Sequence, residues 1–144
     1  MVDALAVRRL SSTFTVLASQ TATATSSGTA AVRLPDIANG VYFLLDITAL
    51  PDVGGDLLLV TIQTSLGGTW IDAVAFTTVL GTTSPRKYLS DKIQADAAQA
   101  QVNPAAVLGA DLVQHIIGDE WRVRWLIVNN TAPSFTFSVV AITD

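Results

Sequence analysis

An all-β fold, an antiparallel β-sandwich of jelly-roll type, is the architecture this sequence predicts. Three observations predict it. Apolar residues recur with a period of two in the clearest segments. The polar complement is threonine and serine rather than charge, as on exposed strand faces. Turn signals of Gly, Pro and Asn fall at intervals of about 8 to 12 residues. With 144 residues, half of them hydrophobic and 14% charged, the chain has the length of one domain with a sizeable core.

Residues 1–12 lack clean alternation and read as an N-terminal arm. Val2, Leu5, Val7 and Leu10 interleave with Arg8 and Arg9, a pattern suited to docking on a neighbouring subunit or partner surface. The plain alternative is a frayed terminus. Residues 13–144 are expected to form the single sandwich domain. TFTVLAS (13–19) and TAAVRL (29–34) are short strand candidates on either side of a Thr/Ser-rich stretch. Asn39-Gly40 opens the strongly apolar strand VYFLLDITA (41–49), which ends at a loop containing Pro51, Gly54 and Gly55. LLLVTIQTS (57–65) follows, with Leu58, Val60 and Ile62 on one face. Gly67-Gly68 turns the chain into TWIDAVAFTTVL, one strand or two, and GTTSP (81–85) is another loop.

Residues 88–119 break this grammar and read as a long insertion between strands. Alanine and glutamine give 91–102 helix propensity, with Ser90 or Asp91 as N-cap, and Pro104 stops any helix. Leu112 to Ile117 is apolar and β-branched, and is expected to be a strand. EWRVRWLIV (120–128) alternates cleanly. Trp121, Val123, Trp125 and Ile127 take the core face; Glu120, Arg122, Arg124 and Leu126 take the other. After the turn NNTAPS (129–134), Phe135, Phe137, Val139 and Ala141 alternate in the same way. The pair predicts an antiparallel hairpin.

The composition excludes more chemistry than it offers. Without cysteine there is no disulfide framework, thiolate site or cysteine nucleophile. A single histidine, His115, excludes multi-histidine metal sites and reads as a structural residue in an apolar run. A net charge of −4 argues against nucleic-acid binding through phosphate contacts. No run reaches the about 18 to 20 apolar residues of a spanning helix, so no membrane span is expected. The arginines of the N-terminus follow a short apolar piece, the reverse of a signal peptide, and a soluble chain is expected. Most acids sit at turns, where Asp bonds its own backbone. Asp52 and Asp56 around Gly54-Gly55 fit a polar turn better than a calcium loop. Asp46 interrupts an apolar strand, and Arg122 or Arg124 is its expected partner. Trp70, just past a loop, is the one tryptophan placed to face a ligand, as in a sugar-binding jelly roll. An enzyme ranks last among the readings, and neither cofactor nor metal is expected.

Three segments carry a resemblance. FLLDITAL (43–50), LLVTIQTSLGGTWIDAVAF (58–76) and RVRWLIVNNTAPSFTFSVVA (122–141) are similar in order and motif to small virion structural proteins of tailed bacteriophages. The resemblance covers about half of the chain; the 88–119 insertion and the arm depart from it. It implies an antiparallel sandwich with a structural role in a phage particle, foremost a head decoration (cement) protein on the outer surface of the head. The implied partners are the major capsid protein and further copies of the chain in a homotrimer. The arm residues Val2, Leu5, Val7, Arg8, Arg9 and Leu10 would contact the capsid or a neighbour. Leu112, Val113, His115 and Ile117 of the insertion would form the subunit interface. A tail, neck or spike component and a carbohydrate-binding jelly roll are the alternatives.

Overall fold

The structure is a computed structural model; it describes residues 12–26, 30–34, 37, 39–94, 107–128 and 132–144. Ten strands follow one another: β1 Ser12–Ala22, β2 Gly40–Ala49, β3 Leu57–Leu66, β4 Thr69–Ala75, β5 Val79–Leu80, β6 Arg86–Leu89, β7 Ile93–Gln94, β8 Leu112–Val113, β9 Glu120–Val128 and β10 Phe135–Thr143. No helix occurs among the described residues. The all-β expectation is therefore met, in two antiparallel sheets.

In the first sheet β10 lies between β1 and β2, and β2 pairs on its other edge with β6 and then β7. In the second, β3 lies between β9 on one edge and β4 followed by β5 on the other, and β8 extends β4. β2, β9 and β10 bury alternate residues, as period two requires, and so does β3 from Leu57 to Ile62, after which Gln63, Thr64 and Ser65 are buried in succession. The first sheet contributes Val41, Phe43, Leu45, Ile47, Phe135, Phe137, Val139 and Ala141; the second contributes Leu58, Val60, Ile62, Trp121, Val123, Trp125 and Ile127. Two ring contacts bridge the sheets. Phe43 meets Trp121 at 5.1 Å between centroids, and Trp125 meets Phe137 edge-on at 5.4 Å. Such geometries contribute about 0.5–1.5 kcal/mol each beyond the area they bury.

The turn at Gly67-Gly68 is a two-residue hairpin connection between Leu66 and Thr69. Both glycines have positive φ, 60° and 85°, which a primed turn demands and glycine supplies without steric cost. The other edge of β9 is covered as well. Ser26 exchanges backbone hydrogen bonds with Trp125 (3.0 and 3.2 Å), and Val32 with Trp121 (both 2.8 Å). Trp125 Nε1 donates to the Ala24 carbonyl at 2.9 Å, and Ile127 N–H donates to Thr25 Oγ1 at 2.9 Å. The segment after β1 thus closes what would be an open strand edge.

Several sequence expectations need correction. β9 and β10 are not a hairpin: β9 pairs with β3, and β10 with β1 and β2 in the opposite sheet. Their six-residue connection reaches about 20 Å when extended, ample for crossing the roughly 10 Å between packed sheets. Of the expected helix 91–102, residues Ile93–Gln94 form β7. Ile93 is fully buried opposite Val41, so burial overrides the local helix propensity; residues 95–102 lie outside the described set. The expected strand 112–117 is only β8, Leu112–Val113. Within 29–34 the described pairing is a single bridge, Val32 with Trp121. TWIDAVAFTTVL forms two strands, β4 and β5. The arm residues Val2, Leu5, Val7, Arg8, Arg9 and Leu10 lie outside the described residues.

Trp121→Ala removes a fully buried indole from the inter-sheet contact and is expected to cost about 3–5 kcal/mol of stability. Leu126→Ala, on the outward face of the same strand, is expected to stay within about 0.5 kcal/mol in the isolated chain. Urea unfolding midpoints of the two variants check the contrast.

Candidate functional site

Because Leu58, Val60 and Ile62 point inward, Leu57, Leu59, Thr61 and Gln63 point outward, and the same alternation turns Arg122, Arg124, Leu126 and Val128 out on β9. The outward face of the second sheet therefore has two halves. One half is apolar. Leu57 lies between Leu80 and Val128, and Leu59 lies beside Leu126. Leu80, Leu126 and Val128 remain 47%, 44% and 45% exposed. Contiguous apolar side chains on an outer sheet face mark a surface that gains by being covered.

The other half is a polar network. Gln63 Nε2 donates to Asp72 Oδ1 at 2.8 Å, and Gln63 Oε1 accepts from Arg122 Nε at 2.8 Å. Gln114 Nε2 donates to the Asp72 carbonyl at 2.6 Å. Arg124 Nη1 approaches Asp72 Oδ1 at 3.8 Å, and the Arg122 guanidinium lies over the Trp70 ring at 4.2 Å. Gln63 and Asp72 are each only 6% exposed, so the network is sealed by the arginines and by Trp70. Burial pushes the Arg122 guanidinium below its ordinary pKa. The neighbouring Arg124 adds to that shift, and Asp72 opposes it.

The residues singled out from sequence fall in separate places. Trp70 is half-buried, and one face of its ring is occupied by Arg122, which leaves less of it for a sugar. Leu112 and Val113 form β8 on the edge of β4, opposite Ala75 and Val74. Leu112 is 51% exposed, whereas Val113 and Ile117 pack partly against the core. His115 is exposed, and its Nδ1 accepts from the Gln94 backbone at 3.4 Å, joining the two described ends of the insertion. Asp46 pairs not with Arg122 or Arg124 but with Lys87 of β6, at 3.6 Å. Lys87 is its direct cross-strand neighbour, while both arginines belong to the other sheet. Sequence reasoning passed over Gln63 and Asp72. The available signal was a polar residue on each of three outward strand faces, but the register that aligns them is tertiary.

No group of three or more metal-ligating side chains lies among the described residues, and no described helix is long and apolar enough to cross a membrane. No family model matches the chain, and no curated protein or solved structure matches it either.

Gln63→Leu removes both the donor to Asp72 and the acceptor for Arg122 while keeping the volume. It is expected to destabilise the fold by about 2 kcal/mol, because two charged groups lose a buried partner. A chemical denaturation series against the wild-type chain measures this.

Proposed function

We propose that this chain is a non-enzymatic structural protein of a tailed-phage particle, a decoration protein that binds the outer surface of the head. In this reading it contacts the major capsid protein and assembles as a homotrimer. The observation that carries the reading is the outward face of the second sheet, with its rows Leu80–Leu57–Val128 and Leu59–Leu126. A face of this kind suits protein–protein contact, whose cores are poor in charge. Support also comes from where the phage-like segments fall: β2, β3 with β4, and β9 with β10, the central strands of both sheets. Decoration needs many identical contacts, each modest alone and strong when summed by avidity. A tail, neck or spike component would use the same sandwich, and copy number separates the two.

Quantitative mass spectrometry of purified virions is expected to show this protein at a ratio to the major capsid protein near one, or at a simple fraction set by the shell lattice. A handful of copies per particle would move it to the tail or neck. Leu112→Asp, at an exposed position of β8, is expected to leave the fold intact and weaken the trimer, as read by sedimentation velocity. A trimer that persists unchanged would remove β8 from the subunit interface.

A further inference from the structure

We infer that two opposite edges of this sandwich are complementary halves of one head-to-tail interface between copies of the chain, with Arg122 and Arg124 of one copy facing Asp91 and Asp111 of the next. The inference rests on the homotrimer reading above and specifies which surfaces meet.

The cationic half lies beside β9. A cleft of about 330 Å³ is lined there by Thr25, Ser26, Gln63, Arg122, Arg124 and Leu126. Two guanidinium groups two residues apart on one strand face repel each other. Among the described residues, the single carboxylate within ion-pair distance of either is Asp72. Asp72 is already bonded by Gln63, and its 3.8 Å approach to Arg124 is long for a charge-assisted hydrogen bond, about 2.7–2.9 Å. The Arg124 side chain is 41% exposed. The cleft therefore carries a positive surplus beside an exposed leucine, Leu126.

The anionic half lies at the other edge, where the sandwich opens between β6 of the first sheet and β4–β8 of the second. A second cleft of about 330 Å³ is lined there by Lys87, Leu89, Asp91, Asp111 and Val113, among others. Asp91 and Asp111 are exposed and form no ion pair among the described residues. Lys87 is engaged by Asp46, so a negative surplus remains. Leu89 and Leu112, 59% and 51% exposed, flank these carboxylates as Leu126 flanks the arginines.

The order of the second sheet separates the two halves by three strand spacings, about 14 Å. Matching charge and matching apolar flanks on opposite edges define a heterologous contact. Such a contact repeats in one rotational sense; it closes into a ring where the rotation between copies is a whole fraction of a turn, a third for the trimer, and runs on as a filament where it is not. A two-fold contact through either half would set like charges against each other, which is costly.

Sedimentation velocity of the full chain at physiological salt tests this. The wild-type chain is expected to run as a trimer. Arg124→Glu and Asp91→Arg are each expected to weaken assembly by at least ~10-fold, about 1.4 kcal/mol. The double variant, with both reversals in one chain, is expected to recover it, since each contact again pairs opposite charges. Arg124→Glu places a second carboxylate near Asp72; if that variant folds poorly, Asp91→Arg and its rescue by Arg124→Gln carry the test from the exposed edge. A trimer unmoved by either single reversal overturns this interface and leaves the trimer standing. A double variant no better than the singles overturns the pairing. A wild-type chain that stays monomeric overturns the trimer reading and the interface together.

Discussion

The cross-sheet contact of Trp121 and Trp125 with Phe43 and Phe137 is the constraint on which the rest of this molecule depends. Both tryptophans sit on one strand, four residues apart, and each meets a phenylalanine from the opposite sheet. Turning both indoles inward leaves β9 one orientation. A one-residue slip would turn every side chain over and expose two of the largest residues in the chain. Once β9 is set, Arg122, Arg124, Leu126 and Val128 must face out. The polar network and the apolar rows of the outward face are thus by-products of how the core is filled.

That outward face shows two ways of handling side chains that the core rejects. Near Trp70 the polar groups satisfy one another: Gln63 serves as donor to Asp72 and as acceptor for Arg122, so a carboxylate only 6% exposed keeps its partners. Toward Val128 the side chains are apolar and stay in solvent. A monomer gains nothing from that second arrangement, and a protein that is covered by a partner does. This difference along a single sheet face is the physical ground for treating it as a contact surface.

The edges divide in a similar way. Ser26 and Val32 close the edge of β9 with four backbone hydrogen bonds, and the Ala24 carbonyl accepts from the Trp125 indole. At the opposite side the sandwich opens between β6 and β8, with charged and apolar side chains at its rim. The sandwich is thus closed along the described part of one side and open on the other.

The sequence by itself determined the fold class, the positions of the long strands and, for β3, β9 and β10, which side chains face the core. Period-two alternation is a local property: neighbouring side chains must point to opposite faces whatever the partner strand. The turn at Gly67-Gly68 was equally legible, because backbone conformation there is set by the residues themselves. Only the tertiary structure decided which strands lie side by side. Alternation is the same for a strand that pairs with its successor and for one that crosses to the other sheet, so β9 and β10 read as a hairpin and are not one. Ile93 became a strand residue because Val41 offered it a buried neighbour. Asp46 found Lys87, and Asp72 found Gln63 and Arg124, through inter-strand register alone. Register is fixed by filling the space between two sheets at once, a condition on residues far apart in the chain that no local window contains.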